Sequence, residues 1–531
     1  MKITRRLYLC LLVALTMNSC SKDDEQVLVE EEPVVMIPDE EPGNENPSMV
    51  TITSEVIKNE VVIEWTTATD PENSELTYTI SLDGVTISEN QSDRTYTLSD
   101  LEFNQVYTGT IVVKDTSDGI STTNFTFETD ILNTAIGSEL DENSKGAIQT
   151  ADDGVLIFGD IPNNNFFGNF LGGDNDATVI KLDKFGNVEW KKNYGGSDTD
   201  YFNGGFKTQD NYYVLVGFTN SSDNDLSTNN GDDAWAIKID GNGNVIWSKN
   251  YGGTGYDVFQ RGVEAADSNY VFGGSSSSSD GDTEGNIGLT DVFVVKVNPN
   301  TGALIWKKTI GGTLQEQVGG IVANEDGSLV FALYSKSGNF DFGLGNYGDY
   351  DSWVIKLDAT GDTILWKKRY GGSGSDISNG IVKSSSNGYL ISGITNSTDV
   401  DIDTNKGSQD GWVYKIDLEG DLIWSKTYGT SGSDGLNTIV TTNDGDYYLG
   451  GYHDNNVDGD VTEVFGIRDA WLVKIDDNGA VKDQKTFGGS KSDDFTGLAI
   501  TSTNKVYAIG NLRSSEIENY NGAVDIYVVK Y

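Results

Sequence analysis

From residue 131 to the C-terminus, short apolar runs alternate with polar turns, and no helical periodicity appears. One apolar element returns seven times. It reads Asp176-Ala-Thr-Val-Ile-Lys-Leu-Asp, Asp233-Ala-Trp-Ala-Ile-Lys-Ile-Asp and Asp291-Val-Phe-Val-Val-Lys-Val-Asn, then Asp351-Ser-Trp, Asp410-Gly-Trp, Asp469-Ala-Trp and Asp525-Ile-Tyr. Successive copies start 57, 58, 60, 59, 59 and 56 residues apart. A second element, a turn leading into an apolar run that ends in Gly, has turns at Asp153-Gly154, Asp210-Asn211, Asp267-Ser268, Asp326-Gly327, Asn387-Gly388, Asp444-Gly445 and Asn504-Lys505. Most of these dipeptides favour positive φ, as a tight hairpin requires. A third element, Trp190-Lys-Lys-Asn-Tyr-Gly-Gly, recurs at Trp247, Trp306, Trp366 and Trp424 and decays to Asp483-Gln-Lys-Thr-Phe-Gly-Gly.

With the turn Asp183-Lys-Phe-Gly186 between the last two strands, each period predicts four strands, a to d. That is the content of one β-propeller blade. Strands a to c occur seven times, but strand d follows only six of them before Tyr531. The missing strand is expected upstream, in residues 131–136, where pairing with the last c strand would close the ring and remove its open edges. The expected fold is therefore all-β, with a seven-bladed β-propeller over 131–531. The stretch resembles the repeat propellers of secreted Bacteroidota proteins.

Residues 49–130 also alternate. Val61 to Trp65, Leu76 to Ile80 and Thr108 to Val113 read as strands, with turns at Asp83-Gly84 and Asp118-Gly119. Trp65 on an early strand, and Leu101 followed by Tyr107, resemble a fibronectin type III β-sandwich with Tyr107 at its tyrosine corner. The resemblance implies a spacer role.

The first residues set the expected compartment. Lys2, Arg5 and Arg6 precede an apolar run, Leu7 to Met17, too short to span a bilayer. Met17-Asn18-Ser19-Cys20 resembles a lipoprotein lipobox, with Met17 in place of the usual Leu. The resemblance implies a signal peptide over 1–19 and lipid attachment at Cys20. Ser21-Lys22-Asp23-Asp24-Glu25 resembles the acidic surface-export signal of Bacteroidota lipoproteins. Residues 20–48, proline-rich and acidic, then read as a disordered tether. The expected location is the outer membrane, lipid-anchored and exposed at the cell surface.

Charge narrows the partners. There are 36 Lys+Arg against 82 Asp+Glu, a net charge of −46, which repels phosphate backbones and argues against nucleic-acid binding. The repeated acids fall into two sets. One acid per blade stands at the start of strand a: Asp141, Asp200, Asp257, Glu316, Asp376, Asp434 and Asp493. These read as ligand-face or structural acids, and their number matches one Lys per blade on strand c, which suggests per-blade ion pairs. The b-to-c loops add Asp223 and Asp225, Asp280 and Asp282, Asp399, Asp401 and Asp403, and Asp458 and Asp460, ahead of c-strand acids such as Asp410. Alternating Asp presents oxygens to calcium, the one cofactor the sequence suggests; the same side chains also cap turns and accept backbone N–H bonds.

Catalytic machinery is scarce. His453 is the only histidine, and no nucleophile elbow, P-loop or dinucleotide fingerprint occurs. No catalytic residue is assigned. The expected function is a surface-anchored binding or scaffolding protein for an extracellular protein or glycan. The alternatives are a carboxylate-dependent polysaccharide hydrolase or lyase, and a structural subunit of an envelope complex.

Overall fold

A computed structural model describes residues 43–162, 171, 175–226, 231–343 and 345–531. Cys20 and most of the tether lie outside the described residues. Those described are all-β, apart from two short 3-10 segments at Gly281–Thr283 and Phe340–Phe342. They form nine antiparallel sheets, eight of four strands and one of three. None of the described helices is long and apolar enough to cross a membrane.

The first unit runs from about residue 48 to Glu128. Its three-stranded sheet pairs Ile52–Ile57, Glu60–Trp65 and Thr95–Leu98, and its four-stranded sheet is built around Thr77–Leu82 and Val106–Lys114. The two sheets share one core, because alternate residues of each strand are apolar: Val61, Ile63 and Trp65 from one, Tyr78, Ile80, Ile111 and Val113 from the other. The Tyr107 hydroxyl accepts the Glu102 N–H at 2.9 Å. That bond ties the start of its strand to the preceding turn.

Seven further four-stranded sheets follow, each built in chain order a-b-c-d except the last. Repeated units of this kind fit a β-propeller. Strand c is apolar on both faces and is buried on both: Asp233–Ile239, Asp291–Val297 and Asp410–Ile416 are covered along their whole length. Trp235, Trp353, Trp412 and Trp471 sit at its third or fourth position, fully buried between neighbouring sheets. Strand d keeps its polar residues because its outer edge faces solvent.

The a strands form the inner wall. They are Asn143–Gln149, Asp200–Lys207, Asp257–Glu264, Glu316–Ala323, Asp376–Lys383, Gly435–Thr441 and Asp494–Ile500. Each packs on the next, and the seventh packs on the first, so the ring is closed. Every a strand carries one bulged residue against strand b, at Lys145, Asn203, Gln260, Gly319, Asn379, Asn437 and Thr496. The bulge pushes a carbonyl toward strand b, which explains the Gly that ends most b runs: a Cβ on Gly274 would lie 1.8 Å from the Val258 oxygen.

The seventh sheet takes its outer strand from far upstream. Leu132–Ile136 pairs antiparallel with Asp525–Lys530, from Ile526 opposite Ile136 to Lys530 opposite Leu132. At the seam, Ser144 donates its hydroxyl to the Gly510 carbonyl at 2.7 Å and its N–H to Asn511 at 2.9 Å. The first unit is tied to this sheet by buried Lys530, whose ammonium lies 2.5 Å from Glu102.

Neighbouring sheets are also bolted at their outer strands. The d-strand Trp and Tyr donate to carbonyls of the next sheet's c-to-d turn: Trp366 to Leu418 (3.0 Å) and Tyr370 to Gly420 (2.5 Å), with Tyr251 to Gly302 and Tyr428 to Gly479 repeating the pattern. Tyr370→Phe leaves a buried carbonyl without its donor. The expected loss is ~1–2 kcal/mol, read by denaturant unfolding with an unchanged slope.

Candidate functional site

Antiparallel connectivity brings all d-to-a and b-to-c loops to one end of the ring. The acid that starts each a strand lies there, wholly buried: Asp200, Asp257, Glu316, Asp376, Asp434 and Asp493 have no exposed surface. Each accepts the N–H of the residue four positions earlier, as Asp376 does from Gly372 at 2.7 Å. Hydroxyls from the end of strand b complete the set, as Ser397 does for Asp376 at 2.9 Å and Ser514 for Asp493 at 2.6 Å. In the first sheet this place belongs to Glu142, not Asp141. Glu142 is fully buried and accepts the Ser138 N–H at 3.1 Å, while Asp141 is exposed and bridges to Val524. Gly137-Ser138 replaces the Gly-Gly pair there, and the offset of four counted from Ser138 reaches residue 142.

Each of these acids faces a second buried acid, the Asp that opens strand c of the preceding sheet. A Cβ on Gly429 would lie 2.6 Å from Asp434 Oδ2 and 3.1 Å from Asp410 Oδ1, so the two carboxyls flank that glycine. Gly252 stands in the same way between Asp257 and Asp233, and Gly488 between Asp493 and Asp469. At Gly195, Gly252, Gly371, Gly429 and Gly488 the first Gly has φ 120 to 157, where a side chain would both strain the backbone and strike the acids. One oxygen each of Asp291, Asp410 and Asp469 has no hydrogen-bond partner among the described residues. Burial, then the facing carboxylate, pushes Asp176 and Asp291 up to about 6; burial does the same at Asp351 and Asp410, where the facing acid again adds to it. Asp200 is likewise pushed to about 6 by burial, against the hydrogen bonds it accepts.

The b-to-c acids act as clamps on the adjacent d-to-a loop. Asp223 accepts the Ser197 N–H at 2.8 Å, Asp280 that of Thr254 at 2.8 Å, Asp399 that of Ser373 at 2.7 Å and Asp458 that of Ser431 at 2.8 Å. Asp225, Asp401 and Asp460 bind the N–H of Gly195, Gly371 and Gly429 at 3.3, 3.2 and 2.9 Å. Asp282 uses its own N–H on Gly252, and Asp403 is exposed. The carboxylates thus point at backbone donors rather than toward one another. Among the described residues, no group of three or more acid, His or Cys side chains is placed to hold a metal ion.

The strand-c lysines do not pair with the acids at the start of strand a. They lie at the opposite end of the ring, where Lys296 binds Asp267 at 2.8 Å, Lys474 binds Asp444 at 3.2 Å and Lys415 binds Asp477, all acids of a-to-b or c-to-d turns, while Lys530 binds Glu102 of the first unit. A shared one-per-sheet count was misleading, because strand c has two ends and its Lys lies five residues beyond its opening Asp. His453 is buried at the end of its b strand, held by Thr486 at 3.0 Å and the Asp454 carbonyl.

Sequence reasoning missed the ring axis. A pocket of about 200 Å³ is lined by all seven a strands. The position after each bulge is Gly146, Gly204, Arg261, Gly320, Gly380, Thr438 and Gly497, so a single sheet places a cation where five place glycine. Arg261 donates to the carbonyls of Asn203 (3.3 Å), Gln260 (2.9 Å) and Asn379 (3.1 Å), joining three sheets. Aligning the repeats column by column exposes it as the one charged residue in that column.

No family model matches the chain, and no curated protein matches it. Solved structures with weak likeness include Sqt1 from Chaetomium thermophilum, at 12% identity and TM-score 0.39 over 72% of this chain and 82% of that one. The exotype rhamnogalacturonan lyase YesX aligns at 9% identity and TM-score 0.33 over 92% and 91%. The PQQ-bound aldose sugar dehydrogenase from Streptomyces coelicolor aligns at 11% identity and TM-score 0.30 over 76% and 98%.

Proposed function

We propose that the chain is a lipid-anchored surface binding protein in which a fibronectin type III-like spacer presents a seven-bladed β-propeller to an extracellular protein or glycan. One observation carries the reading. The end of the ring formed by the b-to-c and d-to-a loops exposes large apolar side chains, among them Leu289 (60%), Phe340 (61%), Val457 (60%) and Ile467 (64%). Exposed apolar surface on loops held by a rigid scaffold marks an interaction face. The paired acids of the same end are fully buried, which keeps them from any substrate and supports binding over catalysis.

Two experiments test it. Cys20→Ala is expected to move the protein from membrane to soluble fractions, and retention in the membrane would remove the anchor. For the face, the triple variant Leu289→Asp, Phe340→Asp, Ile467→Asp should lose binding across glycan and secreted-protein arrays. Ile246→Asp, on an exposed d strand, should keep it. Equal binding by the two would overturn the assignment of the face.

A further inference from the structure

We propose that Arg261 binds the carboxylate of a small organic acid in the pocket on the ring axis. The charge pattern leads to it. In a chain of net charge −46, the pocket lining contains two charged side chains, Arg261 and Lys145, both positive, and no Asp or Glu. Lys145 has a weak partner outside the lining, Asp160 at 3.6 Å. Arg261 has no carboxylate partner among the described residues. Its three hydrogen bonds all go to neutral carbonyls, leaving the charge of this half-buried side chain without a counter-charge.

Donor arithmetic names the ligand class. A guanidinium has five N–H groups, and three are used by Asn203, Gln260 and Asn379. The two that remain belong to one planar group, which suits the two oxygens of a carboxylate. The carbonyl bonds fix the plane beforehand, so little side-chain entropy is lost on binding. A pocket of about 200 Å³ admits a small acid or one acidic group of a larger ligand. The narrow axis is held by backbone: a Cβ on Gly319 would lie 1.9 Å from the Ser378 oxygen. The site is independent of the loop-face reading, whose failure would show in the loop variants and leave this one untouched.

The test is saturation-transfer NMR of acetate with the full chain, at constant ionic strength in chloride. Transfer to the acetate methyl is expected in the wild type and absent in Arg261→Gln. Should Arg261→Gln fail to fold, Arg261→Lys, which keeps the charge and loses the planar fork, is expected to bind about tenfold more weakly. Lys145→Gln should weaken binding less than either. Equal transfer in wild type and Arg261 variants, or none in the wild type, overturns the proposal. Displacement of acetate by equimolar inorganic phosphate would overturn the carboxylate assignment.

Discussion

Removing residues 131–137 is expected to cost several kcal/mol and to turn one cooperative unfolding transition into a broader one. The segment supplies the outer strand of the seventh sheet, pairing along Asp525–Lys530 from Ile526 to Lys530. Its loss uncovers the edge of Asp525–Lys530 and part of an apolar layer that includes Ala135, Tyr527 and Val529. It also releases the point where the first and last sheets of the ring are held in register. A truncation starting at Glu139 is compared with one starting at Ile131, so that loss of the first unit is common to both. The melting temperature of the shorter chain should fall by many degrees. Equal melting would mean that the strand pairing adds nothing to closure.

A rise in stability on mild acidification is expected next. A carboxyl moved from 3.8 to about 6, as at Asp410, costs ~3 kcal/mol to ionise in the folded protein. In the unfolded chain the same group ionises near 3.8, so between about pH 4 and pH 6 the folded state holds more protons. Stability therefore falls as pH rises through that window and is regained as pH drops. Asp176, Asp200, Asp291 and Asp351 act in the same sense. An opposite set limits the gain at the acid end. At Asp477 burial is outweighed by the Lys415 ammonium and by the hydroxyls of Ser386 and Ser384, which hold it at about 2, so its contribution is lost as pH falls below about 4. The melting temperature should peak at about pH 4. Asp410→Asn sharpens the test: the amide can keep the Lys406 N–H bond and donate toward Asp434, so the variant should gain ~1–3 kcal/mol at about pH 7.5 and nothing below about pH 4. A variant less stable than wild type at neutral pH would show that the Asp410–Asp434 pair is ionised and compensated.

The strand plan was legible because its signals are local. A run such as Val292 to Val297 is apolar on both faces only if both faces are covered, and the interval between copies fixed how the strands group. The need for an upstream closing strand followed from a count. Partner identity was harder to read. The Gly-Gly pairs were visible, but their reason, two carboxyls from different sheets meeting over the first glycine, depends on a contact between residues some 24 positions apart, as in Asp410 and Asp434. The Lys pairing failed for the same cause: equal spacing gives the period and leaves open which end of a strand each residue occupies. Arg261 went unnoticed because a long cation beside Gly262 looks like an ordinary solvated residue until seven strands are placed around one axis.

The central claim, a binding protein built from equivalent sheets, is tested most directly by an amide scan of the seven buried acids: Glu142→Gln, Asp200→Asn, Asp257→Asn, Glu316→Gln, Asp376→Asn, Asp434→Asn and Asp493→Asn. Each variant is read by melting temperature and by reducing-end release from acidic and neutral polysaccharides. Equivalent structural groups predict thermal shifts of similar size, ~1–2 kcal/mol each, and no turnover in the wild type or any variant. A general acid or base contributes about 10²–10⁴-fold in rate, so an enzyme would lose activity at one position with little change in stability. Polysaccharide cleavage by the wild type that disappears in a single member of the scan would contradict the account.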